Sequence, residues 1–177
     1  AQIVRELGKF LLDGSLYQGF KPVFWSTVEK TALADAEVEY MDHTSNTIYV
    51  AFKVKETKQD FLKDSSMIIW TTTPWTIPAN KALAFNSSIE YSVIEINELD
   101  HFKEKKIVVA TNLIETIVKA CSLEKYKILK TFKGEDLKGT ICIHPFIKMD
   151  YNYNVPMLDA QFVNLEQGTG IVHCAPS

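Results

Sequence analysis

The chain has 177 residues, a formal net charge of −3, 46% hydrophobic residues and 23% charged residues. These are the proportions of an ordinary globular protein, and a chain of this length buries roughly 70% of its surface on folding without disulfides. Intrinsic disorder and a disulfide scaffold are therefore excluded. We expect neither a membrane span nor a secretory signal, because the sequence contains no apolar run of about 18 residues and no basic leader before an apolar stretch.

Acidic residues outnumber basic ones, 22 against 19. Proteins that bind nucleic acid tightly and without sequence preference usually carry a basic excess. We therefore expect any nucleic acid to be held by few contacts or by other domains.

Cysteine usage indicates a reducing compartment, and we expect a cytoplasmic protein. The three cysteines are odd in number, lie far apart in apolar runs and form no zinc-binding motif, which favours buried free thiols. They are Cys121, Cys142 and Cys174.

The chain begins without methionine, inside a predicted helix, and stops at Ser177 directly after a glycine–histidine motif. We therefore expect residues 1–177 to be a single domain excised from a larger protein.

The first predicted element is an amphipathic helix. Ile3, Leu7, Phe10 and Leu11 recur at helical spacing, and Gly14 stands where a helix would end. A second helix is predicted where a capping box at Asn112 precedes a run of helically spaced apolar residues.

Strands dominate the rest of the chain. The signals are alternation of apolar and polar residues, or short continuous apolar runs, bounded by turn residues. The predicted strand segments are 22–26, 47–55, 67–70, 91–96, 107–110, 126–132, 140–143 and 170–174. The pattern predicts a mainly β fold with a few helices (α+β), barrel-like or sandwich-like.

Residues 70–80 read Trp-Thr-Thr-Thr-Pro-Trp-Thr-Ile-Pro-Ala-Asn. Three threonines leave a buried strand and run into two prolines, which fix the backbone and remove N–H donors. Thr72 and Thr73 lie on opposite faces if the strand continues, and Trp75 offers a flat apolar wall. The turn can then direct hydroxyls around one small pocket. A threonine-rich strand that simply ends at proline remains the alternative.

Residues 168–176 read Gly-Thr-Gly-Ile-Val-His-Cys-Ala-Pro. The glycines allow a tight turn, and His173 follows an apolar strand. A histidine there can donate, accept or block space, and a satisfied core histidine is the alternative. The motif is not a phosphate loop, because the lysine and the following helix are missing.

Together these motifs resemble the editing domain of isoleucyl-tRNA synthetases, in the class I synthetase family. Segment 70–80 is similar to the threonine-rich motif of that domain, and segment 168–176 is similar to its histidine motif. Segments 21–26, 31–34 and 37–40 resemble its entry. The stretches occur in family order over nearly the whole chain.

Two positions favour the isoleucyl branch over the related valyl and leucyl enzymes. In those enzymes an arginine follows the two threonines and an acidic residue follows the proline. Here the corresponding residues are Thr73 and Trp75.

The resemblance implies a barrel-like domain inserted into the Rossmann core of a class I synthetase. Its implied task is post-transfer editing, the hydrolysis of valine wrongly esterified to isoleucine tRNA. A synthetic pocket distinguishes one methylene by only about 1–3 kcal/mol, a figure that was itself established on synthetases of this class. A second, smaller pocket supplies the missing discrimination.

The resemblance also implies a role for each motif residue. The hydrolytic group would be water, placed by the pocket and by the ribose hydroxyl of the substrate. His173 would stand beside the substrate side chain and make isoleucine too large, whereas Asn80 would support the pocket. The residues assigned to catalysis are Thr72, Thr73 and His173, and those assigned to substrate binding are Thr71, Trp75, Thr76 and Asn80.

The family carries an aspartate several residues after its histidine motif, which binds the amino group of the substrate. That position lies past Ser177, so we expect little activity from residues 1–177 alone. No metal or cofactor is expected in this domain. ATP and magnesium, with zinc possible, are expected in the parent synthetase.

The implied partners are the 3′ end of isoleucine tRNA carrying valine and the remaining domains of the parent enzyme. The sequence shows no serine nucleophile elbow, and a covalent mechanism is not supported. Two alternatives stay open: a β module that binds an RNA end or a small ligand without chemistry, and a structural insert.

Overall fold

The computed structural model describes residues 1–96, 104–123 and 125–176. The chain divides into two compact units, Ala1–Thr44 and Ser45–Ser177. The assignment of residues 1–177 to one editing domain stays a prediction.

The first unit contains helix α1 (Gln2–Leu12) and a two-stranded antiparallel sheet. As predicted, Gly14 follows the end of α1 with φ of +83°, a conformation that glycine adopts without strain. Strands β1 (Phe24–Ser26) and β2 (Thr31–Leu33) pair with each other.

The second unit is built on a nine-stranded sheet with one short helix, α2 (Ile114–Ala120). Its strands are β3 (Ile48–Glu56), β4 (Ser66–Thr71), β5 (Ala82–Phe85), β6 (Glu90–Ile96), β7 (Lys106–Ala110), β8 (Tyr126–Lys133), β9 (Ile141–Ile143), β10 (Asn154–Asp159) and β11 (Val172–Cys174). The order across the sheet is β11-β5-β10-β9-β3-β4-β7-β6-β8. The mainly β prediction is confirmed. Over the described residues, β11 and β8 remain the two edges, so the sheet does not close into a barrel.

The core lies along the middle of this sheet. The predicted strand segment 67–70 lies in β4, whose residues from Ser66 to Ile69 are all fully buried. Strand β3 pairs antiparallel with β4 and contributes Phe52, which is also fully buried. A strand covered on both faces reads as a continuous apolar run, which is why β4 was predictable.

Two strands of this sheet were not predicted, because their sequences lack the usual signals. Strand β5 contains two alanines among its four residues, and alanine is depleted in strands. Strand β10 contains Pro156, which cannot donate to a ladder. That proline lies where β10 changes partner: residues 154–156 pair with β9 and residues 157–159 pair with β5.

The second helix begins later than the capping signal predicted. Residues Thr111–Leu113 form a 3₁₀ turn, and no side chain caps α2, so the prediction of Asn112 as the cap was wrong. Among the described helices, none is both long and apolar enough to cross a bilayer.

Candidate active site

The threonine-rich motif leaves β4 and immediately turns. The strand ends at Thr71, whose hydroxyl accepts a hydrogen bond from the Thr73 amide at 3.0 Å. A 3₁₀ turn over Pro74–Ala79 follows, and its first residue is a proline whose fixed φ suits that position. Thr72 and Thr73 would lie on opposite strand faces only if the strand continued through them. The strand ends at Thr71, so this expectation is not met.

His173 reaches this turn through strand pairing. It lies on β11 opposite Leu83 of β5, and β5 starts two residues after Asn80. The Lys81 amide also donates to the Cys174 carbonyl at 2.9 Å. Backbone hydrogen bonds thus hold the histidine motif beside the segment that follows the threonine-rich turn.

A chain of hydrogen bonds fixes the imidazole of His173. The Asn80 side-chain Nδ2 lies 2.9 Å from the Ala82 carbonyl, which only accepts, so this atom is the donor. The same nitrogen lies 2.8 Å from His173 Nδ1, which must accept. Nε2 then carries the proton and donates to the Thr76 hydroxyl at 2.9 Å. That hydroxyl donates to the Thr73 carbonyl at 2.7 Å.

The electrostatics agree with this neutral tautomer. Burial lowers the pKa of His173 below its ordinary value, and the repulsion that a protonated His144 would exert lowers it further. Both ring nitrogens are committed to protein partners. The arrangement therefore suits a rigid wall or a positioned contact better than it suits a free general base.

The lowered pKa of His173 has a consequence for stability. The unfolded chain binds a proton near pH 6.5, whereas the folded chain resists it to lower pH. We expect the free energy of unfolding to fall as the pH drops from 6.5 towards 5, and to fall less in His173→Gln. Urea denaturation of both chains across this range measures the difference, because carboxylates titrate mainly below about 4.5. Equal slopes in the two chains would contradict the prediction.

The predicted site residues divide into two groups. The structure brings Thr73, Thr76, Asn80 and His173 into the hydrogen-bonded chain, with Thr71 bound to the Thr73 amide. Thr72 and Trp75 point outward instead. The Trp75 side chain is 74% exposed, and the exposed Thr72 hydroxyl lies 3.4 Å from that of Thr73. The catalytic and binding roles of all seven stay predictions.

Sequence reasoning missed the support beneath the histidine motif. Tyr91 is fully buried on β6, and its hydroxyl donates to the Gly170 carbonyl at 2.7 Å. The Ala110 amide donates to the Thr169 carbonyl at 2.8 Å. The sequence around Tyr91 gives no signal of this contact, because the carbonyl that accepts its hydrogen bond lies 79 residues away.

A cavity of about 260 Å³ opens beside the histidine motif. Trp70 and Phe162 supply its aromatic lining, Asn164 and Gln167 supply amides, and residues 168–172 complete the lining. Val172 lines this cavity, so the next residue, His173, belongs to the opposite face of β11.

Cys121, Cys142 and Cys174 are free thiols, and burial raises the pKa of Cys142 to about 12. Of the three, Cys142 is buried and the others are half-buried. The described residues contain no cluster of three or more histidine, cysteine or acidic side chains suited to a metal.

Comparison with known proteins identifies close relatives. The chain is 65% identical over 177 residues to the isoleucine–tRNA ligase of Pelagibacter ubique, covering 100% of this chain and 20% of that protein. It is 47% identical over 183 residues to the isoleucine–tRNA ligase of Gluconobacter oxydans, covering 100% and 19%. The chain thus spans about a fifth of the length of the curated relatives that it matches.

Solved structures share the fold at low identity. The editing domain of a cytosolic leucyl-tRNA synthetase from P. knowlesi matches with a TM-score of 0.54 and 12% identity, over 73% of this chain and 56% of that one. A structure named GlLeuRS-CP1 matches with a TM-score of 0.51 and 17% identity, over 62% and 39%.

These findings confirm the resemblance that the two motifs indicated. The relatives that match the whole chain are isoleucine–tRNA ligases, and the fold is that of editing domains. The family model for class I tRNA synthetases (I, L, M and V) matches residues 1–166. The chain belongs to the class I tRNA synthetases.

Proposed function

We propose that this chain is the post-transfer editing domain of an isoleucine–tRNA ligase and hydrolyses valine esterified to isoleucine tRNA. The observation that carries the proposal is the immobilised imidazole of His173 beside the threonine-rich turn. Whole-chain similarity to isoleucine–tRNA ligases supports the same assignment.

The reaction is an ester hydrolysis. Water adds to the carbonyl carbon of the aminoacyl ester, the bond to the ribose oxygen breaks, and that oxygen takes up a proton. Free valine and uncharged tRNA leave. The domain positions the water and directs hydrogen-bond donors at the developing oxyanion. Both contributions lower the barrier to ester hydrolysis.

The geometry suggests how the residues divide this work. Thr72 and Trp75 are exposed and can meet the aminoacyl end of the tRNA. Thr73 is half-buried, and its hydroxyl lies 3.4 Å from the hydroxyl of Thr72. His173 is held at both ring nitrogens, so it presents a fixed boundary to the substrate side chain.

A fixed boundary suits a site that must exclude one additional methylene. A flexible side chain would yield to isoleucine, whereas a ring held by two hydrogen bonds cannot move without breaking them. Each such bond contributes about 0.5–1.5 kcal/mol. That is comparable with the few kcal/mol at stake between the two substrates.

The proposal includes partners and location. The 3′ end of isoleucine tRNA carrying valine is the substrate, and the remaining domains of a larger synthetase surround this chain. ATP and magnesium belong to the synthetic site of that enzyme. The cytoplasm is the compartment where such a substrate is made.

Deacylation assays test the proposal directly. Isoleucine tRNA charged with valine or with isoleucine is incubated with the 177-residue chain and with the full-length ligase that the proposal places around it. We expect the full-length enzyme to release valine and to spare isoleucine, and Thr72→Ala to slow release of valine at least tenfold. Thr116→Ala is the matched control, because Thr116 is exposed on α2 and takes part in none of the hydrogen bonds of the site.

Failure of the full-length enzyme on both esters, with folding confirmed by circular dichroism, would overturn the proposal. Binding of an uncharged tRNA 3′ end by the same protein would then favour the module that binds RNA without chemistry. Equal rates on the two esters would overturn the assigned specificity alone.

A further inference from the structure

The buried side of the threonine-rich turn contacts His144. This residue follows β9 directly, and its side chain is fully buried, with 0% exposure. The Phe146 amide donates to His144 Nδ1 at 3.1 Å, so Nδ1 accepts and Nε2 carries the proton. Nε2 then donates to the Ile77 carbonyl at 3.0 Å. Ile77 lies inside the turn, directly after Thr76.

Aromatic rings surround His144. Tyr151 stacks on it with centroids 4.8 Å apart and planes 14° apart. The other three rings meet it at centroid distances of 5.2–6.2 Å: Phe52, Phe146 and Tyr153. Since interiors are close-packed, the imidazole cannot rotate without displacing these rings.

Tyr153 holds a second carbonyl of the same segment. Its hydroxyl donates to the Asn80 carbonyl at 2.7 Å and lies 3.4 Å from the Pro78 carbonyl. The Lys81 ammonium lies 4.3 Å from the centre of the Tyr153 ring. His144 and Tyr153 therefore fix the turn at Ile77 and at Asn80.

One anchor lies directly after Thr76 and the other lies at Asn80, and these are the two residues that hold His173. Thr76 binds Nε2 of His173, and Asn80 binds Nδ1. The position of the His173 ring consequently depends on the spacing between Thr76 and Asn80. Among the described residues, Asn80 Oδ1 is the buried side-chain atom that lacks a partner. The Asn80 amide group is thus held through Nδ2 alone, which binds the Ala82 carbonyl and His173.

We propose that His144 and Tyr153 are positioning residues of the editing site. They fix the Ile77 and Asn80 carbonyls from the buried side and thereby set the distance that aligns the His173 ring. The inference rests on the proposed function. Neither residue touches the substrate, and each acts through the turn.

A pair of substitutions at His144 separates the bond to Ile77 from simple packing. Glutamine places a nitrogen donor near the Nε2 position, whereas asparagine can replace only the nearer Nδ1. We expect His144→Gln to keep the deacylation kcat within about threefold of wild type and His144→Asn to lose roughly a hundredfold, as misplacement by about 1 Å does. Tyr153→Phe removes one hydroxyl, and we expect a loss of about tenfold with KM little changed.

The measurements use the full-length ligase, with valine on isoleucine tRNA. The isoleucylation rate at the separate synthetic site should stay unchanged in every variant. Val93→Ala, a core change on β6, which pairs with β7 and β8, is the control for lost stability. Nitrogen NMR of His173 supplies a readout that packing alone does not move: we expect its Nε2–H tautomer to lose population in His144→Asn and Tyr153→Phe.

Wild-type kcat and unchanged His173 signals in these two variants would overturn the inference. An equal loss of deacylation kcat in Val93→Ala would also overturn the inference. If the wild-type enzyme fails to release valine, the proposed function fails. The His173 signals then still decide whether His144 and Tyr153 position that ring.

Discussion

Gly170→Ala is expected to lower the free energy of unfolding of the 177-residue chain by roughly 3 kcal/mol, enough to change the folding equilibrium more than a hundredfold. Gly170 has φ of +76°, a region that costs an L-residue roughly 1–2 kcal/mol. An added Cβ would lie 2.4 Å from the Ala110 Cβ and 3.5 Å from the Tyr91 ring. Relieving that overlap costs about 1–3 kcal/mol more, because the neighbours are buried.

Gly139→Ala is the matched control. Its φ is +77°, but the nearest atom to an added Cβ is the end of the Lys58 side chain at 3.8 Å. This variant carries the backbone strain without the overlap, so we expect a loss of roughly 1–2 kcal/mol. Urea denaturation of both variants measures the two losses. Equal losses would contradict the packing argument at Gly170.

The overlap at Gly170 also concerns the site. Gly170 lies three residues before His173, and its carbonyl accepts the Tyr91 hydroxyl. Movement of Gly170 away from Ala110 would break that bond and displace β11. We therefore expect Gly170→Ala to disturb His173 even under conditions where the chain remains folded.

The segments that sequence reasoning located best are those whose local pattern matches their environment. The continuous apolar run in β4 and the alternation of apolar and polar residues in β3 each indicate burial directly from the local sequence. Strands β5 and β10 escaped notice because tertiary context sets them. Ala82 and Ala84 are buried in β5 without any strand preference, and Pro156 is tolerated only because β10 changes partner there.

The same limit applies to the site. The two motifs could be recognised separately, but their contact depends on the pairing of β11 with β5, and β5 was unpredicted. The hydrogen bonds between His173 and the side chains of Asn80 and Thr76 join residues more than ninety positions apart. His144 follows β9 directly. Its bond to Ile77 needed the folded chain.

If the proposed function holds, His173→Ala is expected to convert a site that spares isoleucine into one that accepts it. The substitution removes the ring that Thr76 and Asn80 hold, and it leaves space that exceeds the one methylene separating the two amino acids. That methylene corresponds to about 1–3 kcal/mol, so we expect the full-length ligase to hydrolyse the isoleucyl ester roughly ten to a hundred times faster than wild type does. Release of isoleucine from isoleucine tRNA measures the change.

Asn80→Ala separates the volume of the ring from its immobilisation. This variant keeps the imidazole and removes its Nδ1 partner, so the ring still occupies space but is held only by Thr76. We expect a smaller rise in isoleucine release than in His173→Ala, because a loosened ring still obstructs the larger side chain. If His173→Ala releases valine normally and still spares isoleucine, the boundary lies elsewhere in the pocket. His173 would then serve the turn, as its two hydrogen bonds to protein also allow.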